Sequence, residues 1–141
     1  MRSTVLRASH PRPSSSRRWR SFRGRHWTSQ YNQENCEPWD FDTLENRQKA
    51  RKGFDEQGLA LLIGSVVCTA FSARQAMNEQ RRDPEVVKRE WIRAMVHPRF
   101  VCELYQMQLD NGRYFLHEHP GGATSWKQGC VQDIWSHPDV E

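Results

Sequence analysis

The sequence predicts an α/β fold: a parallel sheet of few strands packed on helices, behind a disordered N-terminal tail. Three observations predict it. Two short apolar runs, residues 59–63 (LALLI) and 113–118 (RYFLHE), are each preceded by a helical pattern that stops at a glycine. The order helix–strand–helix–helix–strand–helix gives parallel strands joined by a helical crossover. Residues 1–33 carry eight arginines, no lysine, and no Asp or Glu. The rest of the chain is therefore net acidic, and the overall charge of +4 comes entirely from the tail. The division expected is a disordered Arg/Ser-rich tail over residues 1–36 and an α/β unit over 37–141.

The first helix is expected over residues 43–57, with Asp42 as N-cap, Glu45 three residues on and Gly58 as its stop. Its apolar stripe of Leu44, Ala50 and Phe54 is thin, so one face is covered. Residues 59–63 between Gly58 and Gly64 form a buried parallel strand. Ser72 and Gln75 have the spacing of a capping box for a short helix running to about Gln80. The residues Asp83, Pro84 and Glu85 start the next helix: a capping acid, proline in the first turn and a further acid. Val87, Trp91, Met95, Val101, Leu104 and Tyr105 carry it towards Leu109, with a break after Val96 imposed by Pro98. Asn111 and Gly112 end it. The second strand follows, then the loop PGGATSW and a short helix over 130–135.

In sheets of this kind ligands collect at the carboxyl ends of strands. Cys68 follows the first strand and Glu118 closes the second, so a thiol and a carboxylate are expected at one rim. His117 and His119 fall on one face of the strand and Glu118 on the other. Two histidines suggest zinc, completed by His97, His137, Cys102 or Cys130, but the spacing is not compact and no metal is expected. Trp91, Phe115, Trp126 and Trp135 read as core or cap residues. Cysteines at 36, 68, 102 and 130 form no C-x-x-C pair, which fits reduced thiols in an intracellular protein, in nucleus or cytoplasm. No apolar run approaches the ~18 residues of a transmembrane helix, so no membrane partner is expected.

Gly64, Cys68, Phe71 and Ser72 in GSVVCTAFS resemble the nucleophile motif of DNA cytosine-5 methyltransferases. Phe115, Glu118 and Pro120 in FLHEHP resemble that family's second catalytic motif, about fifty residues later and in the family's order. The two longer segments LLIGS..C..FS..Q and GRYFLHEHP..ATSW are similar to methyltransferase-like segments in retroelement polyproteins of unicellular eukaryotes and fungi. The resemblance covers about residues 37–138. It implies a partial methyltransferase-like, Rossmann-like sheet, with Cys68 as nucleophile, Glu118 as acid and Asp40, in WDF, near the adenine of S-adenosylmethionine. In that chemistry a thiolate adds to cytosine C6, C5 takes the methyl group, and the acid stabilises N3 of a base flipped out of its stack. A helix start and Arg74 would lower the Cys68 pKa, and a closed pocket would keep Glu118 protonated.

The departures are specific. Val66 and Val67 stand where the family has prolines, Thr69 replaces its glutamine, and no glycine-rich cofactor loop precedes the first strand. The chain ends at Glu141, ahead of any target-recognition region. The expectation is a degenerate, inactive fragment that does not bind S-adenosylmethionine alone, with DNA or other segments of a longer polyprotein as partners. The tail has three readings: an arm neutralising phosphates, a mitochondrial or plastid leader, or sequence without a role ahead of a truncated domain. Pro11 and Pro13 count against the leader, because they prevent one continuous amphipathic helix.

Overall fold

The computed structural model describes Ser3–Arg7 and residues 40–141, apart from 67–68, 73–74, 76 and 79–80. Three strands form one sheet in the order β1 (Ser3–Arg7), β3 (Tyr114–Pro120), β2 (Leu61–Gly64). β2 and β3 are parallel, with Leu61 opposite Tyr114 and Gly64 opposite His117. The expected adjacency of the two strands across a helical crossover is therefore observed. β1 departs from expectation twice: it lies within the tail read as disordered, and it pairs antiparallel to β3, from Ser3 opposite Pro120 to Arg7 opposite Leu116. An open strand edge offers a row of unpaired backbone groups, and STVLR contains the β-branched pair Thr4 and Val5 that suits such an edge. The rest of the expected tail lies outside the described residues.

Helix α1 (Leu44–Gln57) is capped by Thr43, whose hydroxyl accepts from the Asn46 N–H, and not by Asp42. Asp42 is engaged elsewhere: Arg93 reaches its Oδ2 through Nε and Nη2 at 2.7 and 2.6 Å. Gly58 ends the helix in the left-handed region, φ 56°. Ala50 and Phe54 are buried, whereas Leu44 is exposed. Arg51 pairs with Glu103 and its guanidinium lies over Phe100, which ties α1 to the helix behind the sheet.

The expected short helix after Ser72 falls largely outside the described residues, although the Ser72 hydroxyl does accept from the Gln75 N–H at 3.3 Å. Helix α2 (Pro84–Ala94) starts as its sequence implies, with Asp83 Oδ1 accepting from the Glu85 N–H at 2.8 Å. The break with α3 (Val96–Asp110) falls at Met95, slightly ahead of the place expected. Pro98 sits inside the first turn of α3, where its missing N–H has no intrahelical partner to lose. A 3-10 turn, Thr124–Lys127, occupies part of the expected loop, and α4 (Gly129–Trp135) follows. No helix among the described residues is long and apolar enough to cross a membrane.

Helix α3 sets the sheet. Tyr105 stacks on Phe115, ring centroids 4.3 Å apart, and its hydroxyl shares a 2.8 Å hydrogen bond with His117 Nδ1. One turn on, the Gln108 amide donates to the carbonyls of Leu59 and Tyr114 at 3.1 and 2.8 Å, bridging the start of both parallel strands. Gly64 is required at the other end: a Cβ there would collide with the Tyr105 hydroxyl and come within 3.1 Å of Val101 Cγ1. The core continues through Val66, Leu109, Trp126, Val131 and Ile134. β2 is not the fully buried strand expected. Leu61 and Ile63 are 51% and 62% exposed, because among the described residues α3 packs on the other face of these strands.

Gly64→Ala should cost about 2 kcal/mol in urea denaturation, the ordinary range for overpacking a closed contact. Part of that loss should disappear when the same substitution is made on Tyr105→Phe, since the hydroxyl is the nearest obstacle. Additive losses in the double variant would place the strain elsewhere.

Candidate functional site

Gly64 ends β2 opposite His117, so the chain leaves the sheet beside the residue that precedes Glu118. Cys68, with Val67, lies outside the described residues, as does Arg74. The loop is fixed on both sides of Cys68. Val66 is in the core, and Thr69–Phe71 is a 3-10 turn whose Phe71 is buried against Trp91, ring centroids 5.5 Å apart. The Thr124 hydroxyl donates to the Phe71 carbonyl at 3.2 Å, tying this turn to the segment after β3. The carboxyl ends of both parallel strands are therefore held in one place.

Asp40 is near that turn. A cleft of about 660 Å³ is lined by Asp40, Phe41, Thr69, Phe71, Gln75 and His97, among others. Asp40 is exposed, and its Oδ1 accepts the Asp42 N–H at 3.0 Å while its carbonyl accepts from Thr43 and Asn46. Its observed work is thus to shape the entry into α1. His97 stacks on Phe41 at 5.9 Å, and burial pushes its pKa below the usual value despite the pull of Asp42. Glu118 is not part of this lining. It is exposed on the outer face of β3, while Asp40 and the turn after Cys68 share the cleft.

The inner face of β3 carries the unexpected feature. The burial pattern of YFLHEHP alternates, which puts His117 and His119 on the side of Phe115 as the strand period requires. They are 2% and 1% exposed, and their rings are parallel with centroids 6.1 Å apart. Trp126 meets both edge-on, at 5.1 and 6.4 Å, and its indole N–H donates to the Pro120 carbonyl at 2.8 Å. Phe71 meets His119 edge-on at 6.4 Å. His117 Nε2, both ring nitrogens of His119 and Ser125 Oγ are buried without a hydrogen-bond partner. Among the described residues no three His, Cys, Asp or Glu side chains gather as metal ligands. The alternation was legible in the sequence; the burial of both rings beneath Trp126 was not, because it depends on where the 3-10 turn folds back.

Burial lowers the pKa of both histidines, His117 to about 4, with His119 adding to the shift at His117. Each is therefore neutral when folded and takes up protons more readily when unfolded. The stability His117 carries is complete above pH 6.5 and is lost as pH falls towards 4, and His119 loses stability in the same direction. His117 alone should contribute a loss of about 3 kcal/mol over that window. Urea denaturation at pH 7 and pH 4.5 measures it, and His117→Gln should flatten the acid limb while lowering stability at pH 7. An unchanged limb would mean that other groups govern acid unfolding.

No protein-family model, curated protein or solved structure matches this chain, so its site is read from its own geometry.

Proposed function

We propose that this chain is a catalytically degenerate piece of a retroelement-derived, cytosine-5 methyltransferase-like module, with Cys68 and Glu118 in the places of nucleophile and acid. The parallel pairing of β2 and β3 carries the reading: the strand that runs towards Cys68 ends beside the strand that bears Glu118. Asp40 supports it by sharing a cleft with the turn that follows Cys68.

Other observations favour loss of the reaction. An acid that stabilises cytosine N3 works from a closed pocket where its proton is retained. Glu118 instead faces water on the uncovered side of the sheet. The Asp40 carboxylate is already used by its own turn. Val66 is packed in the core where the family's proline would preset the loop. S-adenosylmethionine and methyl transfer therefore belong to the parent module and not to this chain alone.

Two measurements test the proposal. With S-adenosylmethionine and an oligonucleotide containing 5-fluorocytosine, the chain should form no adduct at Cys68 and transfer no methyl group; an adduct overturns the degeneracy. Glu118→Cys should link to Cys68 through a short bismaleimide, and Tyr114→Cys, at the far end of β3, should not. Preferential linkage from position 114 overturns the shared rim.

The arginines support a second reading, DNA binding through phosphate neutralisation, favoured by β1 because it anchors the start of the arginine-rich segment on the sheet. Binding to mixed-sequence duplex should then fall steeply with salt and be lost when residues 8–33 are removed. Equal affinity for the truncated chain overturns it.

A further inference from the structure

We infer that Cys102 and Cys130 form a reversible disulfide that latches α4 onto α3. Cys102 lies in the second turn of α3, buried among Val101, Tyr105, Val131 and Ile134. Cys130 is the second residue of α4, half-buried, and packs against the same cluster. The two helices are in direct contact, and Cys130 is among the neighbours that hold the Cys102 thiol protonated. Both thiols are free. Two thiols packed on one apolar cluster across a helix pair are placed to bridge, a disulfide requiring Cα atoms within about 7 Å.

Their environments divide the work. Burial, Cys130 and Asp133 together keep Cys102 in its thiol form. Cys130 is the less buried residue of the two, so it is the one placed to meet the oxidant. With a hydroperoxide, the Cys130 thiolate attacks the terminal oxygen, the O–O bond breaks, and a sulfenic acid and an alcohol or water result. The Cys102 sulfur then attacks the sulfenic sulfur. The S–S bond forms, the S–O bond breaks, the Cys102 proton leaves with the hydroxide as water, and two electrons have passed to the peroxide. A small thiol reverses the bond by two successive exchanges.

The latch acts on the site. Helix α4 supplies Val131 and Ile134 to the core, and Trp135 meets Trp126 edge-on at 5.6 Å. Trp126 in turn covers His117 and His119. Fixing α4 to α3 therefore holds the lid over the carboxyl end of β3 and closes a loop of about 28 residues in the unfolded chain.

The four cysteines fall on four different tryptic peptides, which makes the test direct. The full chain is treated with dilute hydrogen peroxide, alkylated and digested. The expected product is peptide 100–113 linked to peptide 128–141, with two free thiols lost and a Tm raised by about 5 °C or more. Dithiothreitol should reverse both changes, and Cys130→Ser should abolish the link and the Tm rise. Separate alkylation of Cys102 and Cys130 after peroxide, or equal linkage to Cys36 or Cys68, overturns the inference.

Discussion

The contact between the Tyr105 ring and the backbone of Gly64 is the constraint on which the remaining structure depends. Only a residue without a Cβ lets the phenol lie so close to the end of β2. From there the hydroxyl reaches His117, while the ring stacks on Phe115. One side chain thus locks a helix, the exit of one strand and the inner face of the next. Gln108, one turn later, repeats the device at the entrance of the strands with backbone carbonyls as partners. Together they bind α3 to the sheet by directional bonds, where apolar packing alone would permit sliding.

The sheet itself is one-sided. Parallel strands are ordinarily covered on both faces. Here β2 and β3 turn Leu62, Phe115, His117 and His119 towards the helices, while Leu61, Ile63 and Glu118 remain on the outside. The antiparallel addition of β1 satisfies the second edge of β3 without covering that face. This asymmetry decides the chemistry available to each side. An exposed carboxylate on the outer face is an ordinary solvated acid, and the neutral, desolvated bases lie on the inner one.

The inner cluster is held by ring contacts more than by hydrogen bonds. Four buried polar atoms of His117, His119 and Ser125 have no partner, a cost of about 1–3 kcal/mol for each group so placed. Stacking of the two imidazoles, the edge contacts of Trp126 and Phe71, and the covering helix α4 offset it. The cluster is consequently sensitive to whatever loosens Trp126.

Local chemistry was readable residue by residue. Gly58 as a left-handed stop, Asp83 capping ahead of Pro84, and the alternation that puts both histidines on one side of β3 all follow from forces acting within a few residues. The parallel order of β2 and β3 was readable as well, from connectivity, because a helical crossover of this length returns the chain in the same direction. What required the folded chain were the pairings between distant segments. Asp42 reads as a cap until Arg93, fifty-one positions away, takes its carboxylate. STVLR reads as tail until the open edge of β3 offers it partners. Gly64 reads as part of a motif until Tyr105 shows which atom needs the space. Short-range order is set by backbone preferences that neighbouring residues reveal; long-range contacts depend on which surfaces meet after collapse, and no local pattern contains that information.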